Sequence, residues 1–191
     1  FCENMVTWDI EGPANENLLV KFWSGHHDPV PTYGTSEFGQ LVNDLGYMFE
    51  EDNGPVFDAT DCRLIIVNFC GASSSGNFTP FSDDEIADMK AFMAIGGILA
   101  MMTESGKWVQ PYWVNDFLDQ MGMDIAYGGD ADPDDNFMYT SNITPHELTQ
   151  NMDNFCYVTS GHYLIESDDV ISLVRSDYDQ HLVVAAPVDV N

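Results

Sequence analysis

Residues 63–69 (RLIIVNF) constrain the fold more than any other stretch. The run is nearly all apolar and too short for a buried helix. It predicts a strand covered on both faces, as in the interior of a parallel sheet. A Gly/Ser-rich loop follows, and then Ser82-Asp-Asp-Glu85, a capping box with Ser82 as N-cap and Glu85 three residues on. The helix it opens carries Ile86, Met89, Phe92 and Met93 on one face and stops at Gly96-Gly97. Residues 98–103 (ILAMMT) predict the next strand.

The same alternation extends both ways. Residues 18–23 (LLVKFW) predict a strand. A loop over 24–34 leads to a helix over 36–45, with Thr35 or Ser36 as cap and Gly46 as terminator, and a strand over 47–50. Pro111 suits the first position of a helix through Met121, ended by Gly122 and followed by a strand over 123–127. Thr144-Pro-His-Glu147 predicts another capping box. Beyond it the pattern becomes strand-rich, with short runs at 155–159, 163–166, 170–175 and 182–186. The expectation is an α/β domain over 18–191 with a flavodoxin-like, doubly wound, mostly parallel sheet. Helices cover both of its faces, and the C-terminal third adds extra strands at its edge. Residues 1–17 are polar and predict a lead-in segment.

Charge excludes several functions. The chain has 32 acidic and 5 basic residues, a formal net charge of −27. Five cations cannot neutralise a nucleic-acid backbone, and anionic membrane surfaces are disfavoured for the same reason. With 45% hydrophobic residues the chain is expected to fold rather than stay disordered. No stretch reaches the length of a membrane span. The acidic, lysine-poor surface suits an extracellular or cell-surface setting. The opening Phe1-Cys-Glu-Asn4, without an initiator Met, predicts a processed or excised piece. Cys62 and Cys70 stand at opposite ends of the predicted strand, about 26 Å apart, and cannot pair. Cys2 with Cys62 or Cys156 stays open. Asn77 and Asn142 each begin a glycosylation sequon.

The order strand, loop, Phe81-Ser-Asp-Asp-Glu85 helix start, Ala91-Phe-Met-Ala-Ile-Gly-Gly97 helix end and Ile98-Leu-Ala-Met-Met102 strand resembles the class I glutamine amidotransferase-like superfamily. The helix closing on Gly122-Met-Asp-Ile125 and the stretch Thr144-Pro-His-Glu-Leu-Thr149 fit the same likeness, which covers roughly residues 18–186. It implies a Cys on the sharp turn after a central strand, with His and Glu downstream. That turn reads Thr103-Glu-Ser-Gly106 and holds no Cys, so the resemblance implies a non-catalytic member.

Candidate chemistry is sparse. Cys70, at the carboxyl end of the best strand, and Ser105 are alternative nucleophiles. His162, His26 or His27 could serve as base, against the plainer reading of Cys70 as a small buried residue. His26, His27 and Asp28 could ligate a transition metal, although adjacent loop residues point apart. Asp130, Asp132, Asp134 and Asn136 place oxygens at alternate positions, as a calcium loop does, but Asp135 and Ser141 depart from the EF-hand pattern. The loop 71–76 (GASSSG) lacks a P-loop lysine. Trp108, Tyr112 and Trp113 could form a sugar platform. Together these features point to a non-catalytic binding or assembly domain of a secreted or cell-surface protein, calcium being the one cofactor suggested. A protein partner or a neighbouring module is expected to complete its sheet, and a homo-oligomer is a further expectation. The alternatives are an amidase or other hydrolase using Cys70 or Ser105, and a calcium-dependent carbohydrate-binding module.

Overall fold

A computed structural model describes residues 1–26, 35–69, 78–103, 109–130, 138–157, 161–186 and 188. Four strands, β1 (Leu19–Trp23), β2 (Met48–Asp52), β3 (Cys62–Asn68) and β4 (Ile98–Met102), form a parallel sheet in the order β2-β1-β3-β4. Every residue of β3 is buried, as its unbroken apolar run requires. Strand alternation divides its side chains between two cores. Leu64 and Ile66 join Val20, Ile98 and Val42 of helix α2 (Thr35–Asp44). Ile65 and Val67 join Met89 and Phe92 of α3 (Asp83–Ala94) and Phe117 and Leu118 of α4 (Pro111–Met121).

The predicted punctuation holds at these helices. Ser82 Oγ accepts from the Glu85 amide at 3.3 Å, and Glu85 accepts from the Ser82 amide at 2.9 Å. Pro111 occupies the first turn of α4, and Gly122 ends that helix at φ 73°. Two local expectations are corrected. The helix α2 begins at Thr35 itself, so neither Thr35 nor Ser36 precedes it as a cap. The box at residue 144 is shifted: His146 accepts from the Leu148 amide and caps a single 3-10 turn, Glu147–Thr149.

The C-terminal third corrects the expected sheet. Its strands do not extend the parallel sheet. β5 (Ile125–Asp130), β8 (Gly161–Ile165), β10 (His181–Ala185) and β9 (Ile171–Arg175) form a separate antiparallel sheet in that order, and β6 (Met138–Thr140) pairs with β7 (Phe155–Tyr157) in a third. The chain is therefore a mixed α/β protein rather than a plain doubly wound sheet.

The first seventeen residues are built into the fold. A short helix, α1 (Cys2–Thr7), places Val6 in the core of the parallel sheet, while Phe1, Met5 and Trp8 lie against Leu148, Leu173 and Leu182. Arg63 of β3 holds this segment. Its buried guanidinium donates to the carbonyls of Val6 (2.9 Å), Trp8 and Asn15 and lies over the Tyr47 ring. Gly12 and Gly96 (φ 85°) meet backbone to backbone, and a Cβ on Gly12 would fall 2.3 Å from the Ile95 carbonyl oxygen.

Candidate functional site

The carboxyl ends of the parallel strands are where an open α/β sheet presents its ligand site. Ser24 follows β1, Asn68 closes β3 and Thr103 follows β4. Asn68 Nδ2 donates to Ser24 Oγ at 3.0 Å, and Thr103 Oγ1 lies 3.0 Å from the Tyr163 hydroxyl of β8. These three side chains also line one wall of a cavity of about 1080 Å³.

Most of that cavity is apolar, and it runs along β4. Its walls include Met101 of β4, Phe117 and Met121 of α4, Tyr163 of β8, Val184 of β10 and Ala186. The cause is the break between the sheets. β4 pairs with β3 on one side, and among the described residues no strand pairs with its other side. In a parallel ladder a residue's N–H and C=O point the same way. The Met102 carbonyl accepts from the Phe69 amide, so residues 98, 100 and 102 face β3 and Leu99 and Met101 face outward.

His26 sits just beyond β1 in an aromatic enclosure. Its ring stacks on Phe81 at 4.3 Å and meets Trp23 edge-on at 5.1 Å. Nδ1 lies 2.5 Å from the Thr79 carbonyl oxygen and Nε2 2.9 Å from Glu85. Both ring nitrogens thus have a partner, and the ring ties the strand end to the first turn of α3. Burial works to raise the Glu85 pKa, but hydrogen bonds from the Ser82 backbone and side chain and from His26 hold it below its ordinary value. With both nitrogens engaged by Thr79 and Glu85, His26 presents neither to a metal or a nucleophile. Its proposed companions His27 and Asp28 lie outside the described residues.

The other candidates are scattered. Cys70, Ser105, Asp132, Asp134, Asn136 and Trp108 lie outside the described residues. Asp130 ends β5. His162 lies on β8 with its Nδ1 buried and, among the described residues, without a hydrogen-bond partner, and its Nε2 would be 2.4 Å from a Cβ on Gly128. Tyr112 is exposed and its ring lies 4.3 Å from that of Trp113 at a tilt of 44°, while Trp113 also packs 5.0 Å from Phe78 at the core edge, so the two rings adjoin without sharing one plane. Among the described residues no three His, Cys, Asp or Glu side chains converge on a point that could hold a metal.

A serine–histidine pair that sequence reading missed joins β9 to β10: Ser172 Oγ lies 2.7 Å from His181 Nδ1. Nine residues separate the two across a hairpin turn, and no local motif marks them. The pair is a poor catalytic unit. Ser172 is buried within the sheet and shared with Arg175 Nε at 3.4 Å. Burial, and then the Arg175 charge, push the His181 pKa down, making it a weaker base. Cys62 is equally inert, because burial pushes its thiol up to about 11.

No helix among the described residues is long and apolar enough to cross a membrane. No family model matches the chain, and no curated protein shows significant similarity to it.

Proposed function

We propose that this chain is a non-catalytic binding domain of a secreted or cell-surface protein, and that it binds by taking an extended segment of a partner alongside β4. The observation that carries the reading is the outer edge of β4, bordered by an apolar cavity of about 1080 Å³. The order β2-β1-β3-β4 is the flavodoxin-like order stopped one strand short, and the next position falls in that cavity. The same order supports the resemblance to the class I glutamine amidotransferase-like superfamily. An edge with outward backbone groups and apolar side chains is a template for strand addition. The net charge of −27 selects a segment carrying Lys or Arg, and it speeds encounter at low salt.

The non-catalytic reading draws on chemistry as well. Acyl transfer needs a nucleophile with a base in hydrogen-bond reach. At the strand ends Ser24 is bonded to Asn68 and Thr103 to Tyr163, while His26 is committed on both nitrogens. Calcium belongs to the same reading through Asp130, Asp132, Asp134 and Asn136, and a calorimetric calcium titration with and without Asp132→Asn and Asp134→Asn tests it.

The strand-addition reading is tested with short synthetic peptides of alternating Val and Lys, or Val and Glu, titrated by isothermal calorimetry. The Val/Lys peptide is expected to bind, more weakly as salt rises, and the Val/Glu peptide not to bind. Met101→Pro removes an outward N–H without touching the bonds between β3 and β4, a position where an edge strand tolerates proline. It is expected to keep the circular dichroism of the parent and to lose the peptide. Equal binding of both peptides, binding of neither, or full binding by the folded Met101→Pro variant would contradict the proposal.

A further inference from the structure

Two pairings of Cys2, with Cys62 or with Cys156, are compatible with the sequence, and the fold separates them. Cys62 is on the central strand β3 and fully buried. Cys2 and Cys156 are both exposed. Cys2 stands on α1 and Cys156 on β7, and the fold holds α1 against the turn that precedes β7. Asn4 Nδ2 of α1 donates to the carbonyls of Leu148 (3.1 Å) and Gln150 (2.9 Å), and Trp8 Nε1 donates to Glu147 at 3.0 Å. Phe1 packs in the same cluster as Phe155 and Met138. Cys2 and Cys156 line one small cleft of about 560 Å³, whose rim is formed by the first turn of α1, Leu41 and residues 151–156. Both also border the larger cavity.

We propose that Cys2 and Cys156 form a disulfide that ties α1 to the β6–β7 pair. The chemistry is exchange with a small-molecule disulfide such as oxidised glutathione. The thiolate of one cysteine attacks it, forming a mixed disulfide and releasing one glutathione thiolate. The second cysteine thiolate attacks the protein sulfur of that mixed disulfide and releases the other. One protein S–S bond forms, one glutathione S–S bond breaks, and two electrons and two protons pass from the protein to the oxidant. Cys156 lies opposite Tyr139 in the β6–β7 register. The closed loop takes in most of the described chain, the case in which a cross-link restricts the unfolded state most.

The test is a glutathione redox buffer, followed by alkylation under denaturing conditions and non-reducing peptide mapping. The expected product is a linked pair of peptides containing Cys2 and Cys156, lighter by two hydrogens than their sum. The oxidised protein is expected to melt at least about 5 °C above the reduced one. Cys2→Ser and Cys156→Ser are each expected to melt like the reduced parent in both buffers, which also shows that they fold. Separate glutathione adducts on Cys2 and Cys156, a link from either to Cys70, a link between two chains, or an oxidation-dependent shift that persists in Cys2→Ser would overturn the assignment.

Discussion

Replacing Arg63 by Leu keeps an apolar stem in β3 but removes, among the described residues, the cation that reaches the N-terminal segment. Arg63 makes its bonds to backbone carbonyls of Val6, Trp8 and Asn15, and among the described residues no carboxylate pairs with it. A hydrogen bond to a charged group contributes roughly 1.5–3 kcal/mol, and three are lost together. Against this stands the recovered cost of burying a guanidinium, which is several kcal/mol. The buried carbonyls left behind then dominate, at about 1–3 kcal/mol each. The net expectation is a loss of about 3–5 kcal/mol, a fall in melting temperature of roughly 6–20 °C for a chain of this size. Arg63→Lys offers one ammonium for three acceptors in fixed directions and is expected to fall between. Urea unfolding gives the free energy. Limited proteolysis of the folded variant locates the damage, because residues 1–17 should be cut first. A loss under about 1 kcal/mol, or an N-terminal segment as resistant as in the parent, would refute the role assigned to Arg63.

Three further outcomes are expected. Ser82→Ala removes one arm of the capping box on α3 and is expected to cost about 1 kcal/mol in urea unfolding. A smaller acid sensitivity should accompany it: Glu85 lies below its ordinary value partly through the Ser82 side chain, so the parent's Glu85 contribution is present above the normal carboxylate range near 4.3 and is lost as pH falls through and below it, and the variant has less of it to lose. At high pH the sign reverses. Cys62 keeps its proton up to about 11, so the folded state is favoured below the ordinary thiol value of about 8.5 and loses that margin as pH rises toward 11, and Cys62→Ala should flatten this limb. Finally, the melting temperature should rise by several degrees between low and molar sodium chloride, because salt screens the repulsion among 27 uncompensated charges, and an unchanged value would count against that.

Local signals located the elements well. The apolar run of β3, the Ser82 box and the glycines that end helices, Gly46 at φ 90°, Gly96 at φ 85° and Gly122 at φ 73°, are written in a few residues each. Pairing is not local. The short C-terminal strands announced themselves by composition, but nothing in residues 161–185 says that they pair with β5 rather than β4. The helix α1 was illegible because CENMVT is short and half polar, and it is stabilised by Val6 packing and by Arg63 more than fifty residues away. The candidate site divides along the same line. His26 was named as a ligand from its residue type, but what occupies its nitrogens, Thr79 and Glu85, depends on how the 78–85 segment returns to β1. The cavity beside β4 and the cleft that Cys2 and Cys156 both line are consequences of sheet order, which sequence periodicity does not carry.

The most direct test of the binding account is hydrogen–deuterium exchange at the two outward amides of β4, Leu99 and Met101, with and without the Val/Lys peptide. In the free chain they should exchange much faster than the inward amides of Ala100 and Met102 on the same strand. With the peptide bound both should slow at least tenfold, while Ala100 and Met102 stay as they were. Outward amides already as protected as their neighbours, or unchanged at saturating peptide, would contradict the claim that β4 is the open edge through which this protein binds.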